Sequence, residues 1–505
     1  MIRLISKYRF NILLFLILVL GFLIRVWDLD KNPAGFFCDE ASIGYNAYSI
    51  LKTGKDEHNN QFPILFKAFG EYKRPIYIYS SIPFIFIFGL NEFSVRLTSV
   101  FYGTLTILVM YLMVKQLFNK EIAFYSSFFI AISPWHIHFS RIGFEAISFI
   151  FWTVFLLYVF FKSFNNFLYY YLTVFVFLIT FFTYYPAPIY LFFILLFLIL
   201  FFKNQFSFWS KKIFFWISNF LILLFFIFIF YNIFENFIIR WNMVKMNDLN
   251  LVNIVYSYLN HFSIDFLFTK GDIDFSGQFI TRHSIRGMGQ LYLFQLPFLF
   301  FGLLSFFLLK KERKYLSFFL MLLIVYPFGS IFTSINPQAI RSIFGVIPFQ
   351  VITAVGIVTI LKVMKKKIFK TIFLLIIMII ISVSFFNFLM LYKKYPLYSS
   401  DFLGWQYGPK EIISYFITQH KNYDELYMTS DFNAPEIFLK FYDQKKECFN
   451  CLIGGVDKFN PQKKQLFALR VEEVKKLEEI KRKFKIKKII YYPNRDEAFY
   501  IGEIF

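Results

Sequence analysis

The chain has 505 residues, of which 58% are hydrophobic and 24% aromatic, and 79 of them are Phe. This much apolar surface cannot be buried in one water-soluble core, which excludes an ordinary soluble globular protein. A formal net charge of +21 would suit a nucleic-acid-binding protein, but the Lys and Arg residues form short clusters between apolar segments. Such clusters orient membrane proteins, so we expect no nucleic acid among the partners.

Apolar segments long enough to cross a bilayer recur from Phe10 to Leu391. The first, residues 10–27, follows basic residues but lacks a signal-peptide cleavage site, so it predicts a retained helix. About eleven membrane-spanning helices are expected. They lie at residues 10–27, 97–116, 121–139, 146–162, 167–183, 187–203, 213–231, 291–309, 315–332, 342–361 and 371–391.

The basic clusters predict how these helices are oriented. If the basic N-terminus is cytoplasmic, alternation places KKERK (310–314) and KVMKKKIFK (362–370) on the cytoplasmic side, as the positive-inside rule requires. We therefore expect a multi-pass protein of the cytoplasmic membrane, with its N-terminus inside and its C-terminus outside. Counting residues 75–90 as a span would reverse the later loops, so we interpret this segment as an interfacial or re-entrant helix.

The composition changes after residue 391, where apolar runs shorten and charges of both signs interleave. The expected organisation is a membrane module, 1–391, with external loops 28–96 and 232–290, followed by a small extracytoplasmic α/β domain, 392–505. In that domain, Cys448 and Cys451 predict a disulfide or two free thiols rather than half of a zinc site, because no second cysteine pair follows. The predicted fold class is an all-α polytopic membrane protein with this α/β domain. Its predicted helices are 408–420, 434–443 and 471–484, and its predicted strands are 424–430 and 487–493.

Five charged segments share the outer membrane surface in this topology. Carboxylates together with Arg, Lys and His at a lipid–water interface suit a reaction on an anionic lipid headgroup. Arginine grips phosphate oxygens, and a carboxylate takes the proton of an incoming hydroxyl or amine. The candidate residues are Asp39, Glu40, Lys73, Arg74, Arg141, Glu145, Arg282, His283, Arg286 and Arg341.

Simpler interpretations exist for several of these residues. Asp39 would be a helix N-cap if Ser42 completed a capping box. Arg141 and Glu145 are four apart, so they would form an ordinary pair if both lay on one helix. Arg341 would only mark the interface.

Three segments form a recognisable pattern: the acidic pair at 39–40 followed by an aromatic-containing helix, EYKRPIYIY (71–79) followed by FGLNEFSVRLTSVFYGTLTILVMYLMVKQLF (88–118), and ISPWHIHFSRIGFEA (132–146). In these segments the chain resembles the GT-C superfamily of membrane glycosyltransferases, specifically the branch of protein O-mannosyltransferases and lipid A aminoarabinose transferases (family 39-like). The likeness covers roughly the first 190 residues well and the later helices only in general layout.

The resemblance implies transfer of a sugar from a polyprenyl-phosphate donor, with Asp39 activating the acceptor. It implies that Arg74 contacts the donor phosphate. Relatives often have Lys-Pro-Pro where this chain has Lys73-Arg74-Pro75, which leaves the choice between Lys73 and Arg74 open. Arg141 and Glu145 match a basic and an acidic position of the family. Metal binding differs among relatives, so a divalent metal is left open.

The residues and the resemblance agree on an inverting transfer of a hexosyl or pentosyl group. Arg341 and the pair Arg282 and Arg286 would add cations for the leaving phosphate, with Glu40 beside the catalytic Asp39 and His283 in support. The sequence does not specify the sugar, or whether the acceptor is a glycan, a lipid or a protein. A transporter or flippase is the alternative, and it would require charged residues within spans and a repeat between the two halves.

Overall fold

A computed structural model describes residues 2–272, 282–479 and 482–505, which form two compact units. The first unit consists of Met1–Trp27, Gly70–Tyr77 and Ser99–Leu391. The second consists of Asp28–Phe69, Ile78–Thr98 and Tyr392–Phe505. The unit boundary after Leu391 is where the composition changes, and the second unit also takes in most of the first external loop.

The described chain is mainly helical, with strands concentrated near its C-terminus. The helices are α1 (Ile2–Val26), α2 (Cys38–Thr53), α3 (Pro75–Phe88), α4 (Glu92–Leu117), α5 (Lys120–Ile132), α6 (Pro134–Phe139), α7 (Ala146–Lys162), α8 (Leu168–Phe181), α9 (Ala187–Trp209), α10 (Ile213–Val244), α11 (Leu251–Asn260), α12 (Gln295–Leu308), α13 (Arg313–Val325), α14 (Val346–Val363), α15 (Lys367–Lys394), α16 (Pro396–Ser399), α17 (Pro409–Gln419), α18 (Glu436–Tyr442) and α19 (Val471–Glu479). The strands are β1 (Phe66–Ala68), β2 (Glu71–Lys73), β3 (Glu425–Met428), β4 (Cys451–Ile453), β5 (Gln465–Arg470), β6 (Phe484–Tyr491) and β7 (Glu497–Ile504).

Most predicted spans coincide with one helix or with a helix and an adjoining short turn, because a chain in lipid must satisfy its backbone hydrogen bonds internally. The span predicted at 121–139 is instead divided at Ser133 into α5 and α6. Among the described residues, four helical segments are long and apolar enough to cross a membrane by length and composition alone. The all-α fold is confirmed, whereas the number of eleven crossings stays a prediction. The four segments are Glu92–Leu117, Ala187–Trp209, Ile343–Val363 and Lys367–Lys394.

Close packing in the first unit depends on small residues between α12 and α14. A Cβ atom on Gly356 would lie 1.9 Å from the carbonyl oxygen of Phe298, and one on Gly302 would lie 2.3 Å from that of Ile352. The two backbones therefore touch, as membrane helices do where small residues meet.

Helix α10 is longer than predicted, and helix α3 gives exact bounds to another predicted segment. The span predicted at 213–231 continues as α10 to Val244, because neither Pro nor Gly interrupts it, so the external loop predicted at 232–290 begins later. Residues 273–281 of that loop lie outside the described residues. The segment predicted as an interfacial or re-entrant helix is α3, which ends before Gly89 at a φ of +76°. Its depth in the membrane stays a prediction.

The second unit contains a five-stranded sheet in the order β4-β3-β5-β7-β6. Strand β3 is parallel to β4 and β5, whereas β7 is antiparallel to β5 and β6. The predicted α/β domain is confirmed, and Cys448 and Cys451 form a disulfide. Its buried core includes Tyr427, Phe467, Leu469, Val474, Leu477 and Ile504.

Candidate functional site

Asp39 and Glu40 lie in the first turn of α2, where the helix dipole favours negative charge. The helix begins at Cys38 and its N-cap position is Phe37. The interpretation of Asp39 as the N-cap is therefore wrong, since this residue lies inside the helix. Glu40 instead contributes to the start of α2 from inside the helix, since its Oε2 atom accepts a hydrogen bond from the backbone N–H of Phe37 at 3.3 Å.

Glu40 is fully buried and is held by Arg96 through two contacts. Its Oε1 atom accepts a hydrogen bond from Nε of Arg96 at 2.9 Å, and its Oε2 atom accepts one from Nη2 at 3.0 Å. The same guanidinium donates to three backbone carbonyl oxygens of residues 29–35, at 2.7 to 3.2 Å. Arg96 thus fixes α4, the segment before α2 and the first turn of α2 to one another.

Asp39 differs from its neighbour because its side chain is partly exposed. Of the two adjacent acids, only Asp39 has exposed surface. The structure therefore separates their surroundings, which adjacency in the sequence could not do. Arg96 is not among the candidates from the sequence, where it occurs only within the family-like segment 88–118.

In the first unit, Arg74 follows β2 and is buried, yet its Nε and Nη1 atoms have no hydrogen-bond partner among the described residues. Its guanidinium lies over the ring of Tyr185, 4.7 Å from the centroid, and 5.8 Å from that of Phe181. Burial lowers the pKa of Arg74, while the nearby Tyr185 and Glu145 oppose this shift. A stacked guanidinium with unused N–H groups is suited to receive an anion.

A second arginine shares the ring of Tyr185. The guanidinium of Arg240 lies 5.6 Å from the ring centroid and forms an ion pair with Glu71. Burial lowers the pKa of Arg341 to about 10; the nearby Tyr184 opposes this shift, and the like charge of Arg240 adds to it. We call Arg74, Arg240 and Arg341 the arginine cluster. Arg240 was not expected from the sequence, because it lies in the part of α10 beyond the predicted span.

Arg341 is presented by a firmly held backbone segment. The carbonyl oxygen of Ala339 accepts a hydrogen bond from the indole N–H of Trp135 at 3.0 Å. The backbone N–H of Ala339 donates to Oδ1 of Asp272 at 2.5 Å. The carbonyl oxygen of Arg341 accepts one from the hydroxyl of Tyr190 at 2.9 Å. The Nη1 atom of Arg341 is buried without a hydrogen-bond partner among the described residues, like the two atoms of Arg74.

Asp272 is fully buried next to the predicted supporting residue His283. The Oδ2 atom of Asp272 lies 3.2 Å from Nδ1 of His283, and the backbone N–H of Asp272 donates to Oγ of Ser284 at 2.7 Å. Burial raises the pKa of Asp272 and lowers that of His283, so both groups favour their neutral forms. Asp272 connects His283 with the segment that carries Arg341, a role that no local sequence motif signals.

The remaining basic candidates have different surroundings. The carbonyl oxygen of Arg282 lies 2.8 Å from Nε2 of His138, and Arg286 is exposed. Lys73 is buried beside Arg74. The assignment of Lys73, Arg282 and Arg286 to donor phosphate stays a prediction.

Arg141 is fully buried at the end of α1, where it donates to the carbonyl oxygens of Ile24 at 2.7 Å and Arg25 at 3.0 Å. A cation at this end of a helix is stabilised by the helix dipole. The interpretation of Arg141 and Glu145 as a pair on one helix is wrong, because α7 begins only at Ala146. The supporting roles of these two residues stay predictions.

No group of three or more His, Cys, Asp or Glu side chains suited to a metal ion occurs within residues 2–272, 282–479 and 482–505. A divalent metal cofactor stays an untested expectation.

Comparisons with known proteins agree with the predicted superfamily. Residues 74–231, about a third of the chain, match the family model described as dolichyl-phosphate-mannose-protein mannosyltransferase. No curated protein shows significant sequence similarity to this chain.

Solved structures match over almost the full length. One is the oligosaccharyltransferase of Archaeoglobus fulgidus, tethered with an acceptor peptide containing the NVT sequon, with a TM-score of 0.57, 13% identity, and coverage of 98% of this chain and 74% of that chain. Another is ArnT from Cupriavidus metallidurans bound to undecaprenyl phosphate, with a TM-score of 0.52, 10% identity, and coverage of 97% of both chains. Its apo state matches with a TM-score of 0.51 and 12% identity, over 98% of both chains. The chain therefore has the GT-C glycosyltransferase fold over nearly its whole length and contains, in residues 74–231, a glycosyltransferase family segment, which confirms the superfamily and the enzyme class predicted from its sequence.

Proposed function

We propose that this enzyme transfers a hexosyl or pentosyl group from a polyprenyl-phosphate donor to a glycan, lipid or protein acceptor, with inversion at the anomeric carbon. The reaction takes place at the outer face of the cytoplasmic membrane, with the N-terminus inside and the C-terminal domain, 392–505, outside. The observation that carries the proposal is the buried guanidinium of Arg74, whose Nε and Nη1 atoms have no partner within the described chain. The structural match to ArnT bound to undecaprenyl phosphate supports the same donor class.

In the proposed reaction, the carboxylate of Asp39 takes the proton from the acceptor hydroxyl or amine. The acceptor atom forms a bond to the anomeric carbon while the bond from that carbon to the phosphate oxygen breaks, and the electron pair leaves with the phosphate. Arg74 and Arg341 donate hydrogen bonds to the departing phosphate oxygens, which stabilises their charge. A single displacement of this kind inverts the anomeric configuration.

Glu40 has a different part in this proposal, although the sequence pairs it with Asp39. Both of its carboxylate oxygens are already engaged by Arg96 inside the protein. We assign it the positioning of α2 and hence of Asp39.

The test is release of polyprenyl phosphate from radiolabelled polyprenyl-phosphate hexose and pentose donors by the purified protein in lipid nanodiscs. Loss of a general base lowers the rate by about 10²–10⁴-fold, so the rate of release by Asp39→Asn is expected to be lower by that factor. Glu121→Gln is the matched control, because Glu121 is also a first-turn acid, on α5, but is exposed. Near-normal transfer by folded Asp39→Asn would refute the role of Asp39. Absence of release from every donor in the presence of cell-envelope extract would refute the proposed function.

A further inference from the structure

The second unit contains a cavity of about 260 Å³ that the proposed reaction does not use. It lies between the segment that precedes α2, the first turn of α4, the end of α18 and the start of α17. All of its lining residues belong to the second unit. The cavity is smaller than the 300–1,000 Å³ typical of sites for drug-sized ligands, so it suits one small ring.

Gln406 lines this cavity and is fully buried, yet neither its Oε1 nor its Nε2 atom has a hydrogen-bond partner within the described chain. A buried amide that lacks partners destabilises the fold, and such groups call for a specific explanation. The backbone of Gln406 is also in the left-handed region, at a φ of +52°, which is unfavourable for a residue with a side chain. An unsatisfied buried amide and an unfavourable backbone conformation thus coincide at a residue that lines the cavity.

The wall beside Gln406 is formed by a close approach of two backbone segments. A Cβ atom on Gly35 would lie 2.5 Å from the carbonyl oxygen of Trp405 and 2.9 Å from the N–H nitrogen of Tyr407. Gly35 has a φ of +92°, so a larger residue is disfavoured both by its conformation and by its contacts. The arrangement that places Gln406 in the wall of the cavity is therefore part of how the fold is built.

Hydrogen-bonding groups of both kinds surround the cavity together with aromatic rings. The Oε1 atom of Glu92 accepts from Nζ of Lys410 at 2.9 Å and from the hydroxyl of Tyr442 at 3.0 Å. Glu411 is hydrogen-bonded to the hydroxyl of Tyr407, and burial raises its pKa. The lining thus supplies the carboxylates of Asp30, Glu92 and Glu411, the ammonium groups of Lys31 and Lys410, an amide and two phenol rings.

This combination selects among ligand classes. The three carboxylates disfavour a phosphate, whereas the two ammonium groups offset the attraction for a cation. A neutral polyhydroxyl ring fits, because each hydroxyl both donates and accepts, as the amide of Gln406 does. The apolar face of a sugar ring can also pack on Tyr407 or Tyr442.

We infer that this cavity binds one pyranose residue of a neutral acceptor glycan. Phe36 lines the cavity and Asp39 follows three residues later, so their Cα atoms are at most about 11 Å apart. The inference that the bound sugar belongs to an acceptor rests on the proposed function, whereas the inference that the cavity binds a saccharide does not. A sugar bound here would hold its glycan in the neighbourhood of α2.

The experiment measures saturation-transfer NMR between the protein in nanodiscs and neutral disaccharides of glucose, galactose, mannose and N-acetylglucosamine. Gln406→Leu removes the donor and the acceptor while keeping much of the volume, so saccharide affinity is expected to fall at least tenfold. The unfolding midpoint of the unliganded variant is expected to stay the same or to rise, because a buried unsatisfied amide has been removed. Gln444→Leu is the matched control, since the amide of Gln444 donates to the carbonyl oxygen of Leu90 at 2.8 Å. This control is expected to lower the midpoint and to retain saccharide binding.

Equal binding by the wild type and Gln406→Leu would overturn the inference, as would the absence of binding by any saccharide. Saturation transfer to members of a peptide library, with none to the saccharides, would assign the cavity to a peptide and would also overturn the inference. Asp39→Asn is tested in parallel and should bind saccharide as the wild type does. If phosphate release proves independent of Asp39 while saccharide binding still depends on Gln406, the proposed mechanism fails and the saccharide site stands.

Discussion

Arg96 and Glu40 form a fully buried ion pair in which both carboxylate oxygens accept hydrogen bonds, at 2.9 and 3.0 Å. The residue next to Glu40 along the chain is the partly exposed Asp39. The pair therefore fixes the turn of helix that carries the proposed base. A buried carboxylate of this kind is a structural partner, and its loss should appear first in stability.

Glu40→Gln is expected to lower the free energy of unfolding by about 3–5 kcal/mol, because it leaves the guanidinium of Arg96 buried without its countercharge. Thermal unfolding in detergent provides the measurement. Asp39→Asn is the neighbouring control and should lower the free energy of unfolding by only about 0.3–1 kcal/mol, the contribution of a first-turn acid. Equal midpoints for Glu40→Gln and the wild type would contradict the structural role of the pair.

Arg74→Gln is expected to weaken donor binding by roughly 10- to 150-fold, since a charge-assisted hydrogen bond contributes about 1.5–3 kcal/mol. The measurement is the dissociation constant of polyprenyl phosphate for the protein in nanodiscs. Arg313→Gln is the control for loss of one positive charge, because Arg313 is exposed at the start of α13. A similar affinity for both variants would remove Arg74 from the phosphate site.

Asp272→Ala is expected to raise the donor KM more than it lowers kcat, because the N–H of Ala339 loses its acceptor and Arg341 loses its fixed position. The lost hydrogen bond should also destabilise the protein by about 1–3 kcal/mol. Asp272→Asn retains an acceptor oxygen and should recover part of the KM. The control is Asp265→Ala, since Asp265 forms an exposed pair with Lys270 at 2.8 Å and should change neither quantity. A uniform loss of kcat in Asp272→Ala at an unchanged KM would contradict the positioning role.

The carboxyl of Glu411 should make stability depend on pH. Burial raises its pKa above the usual 4.5, so between these two values the folded state binds more protons than the unfolded state. Its stabilising contribution is therefore complete below pH 4.5 and is lost as the pH rises through the folded-state pKa. Glu411→Gln lacks this titration. The unfolding midpoint of the variant should therefore rise relative to that of the wild type as the pH increases from 4.5 to 7.5. A constant difference between the two midpoints would contradict the shift.

The helices were predictable because lipid leaves the backbone few alternatives, and an apolar run of sufficient length becomes a helix. The length of α10 was missed, since the residues after 231 mix polar and apolar side chains and nothing in them marks an end. In the second unit, β7 was missed because its buried positions do not alternate strictly, although β5 pairs with it. Short strands depend on neighbours that a local pattern does not contain.

Asp39 and Arg74 could be proposed from the sequence because they occupy positions in segments that resemble a family. Arg96 and Asp272 could not, because their partners are 56 and 67 residues away along the chain. Gln406 is even harder to predict from the sequence, since its distinguishing feature is that its buried amide lacks a hydrogen-bond partner within the described chain. Such properties arise only when distant segments are packed together.

The composition of the second unit has a consequence for how the protein is made. Nζ of Lys440 lies 2.8 Å from Oε2 of Glu57, and the ring of Phe441 packs 4.9 Å from that of Phe36, yet residues 99–391 separate these segments along the chain. At about 5–20 residues per second, synthesis of the intervening chain takes roughly 15–60 s. The loop that carries Asp39 therefore waits for partners that do not yet exist, and it completes its fold only after the last helices have left the ribosome. Nascent chains stopped before residue 392 should expose this loop to protease, and full-length chains should protect it.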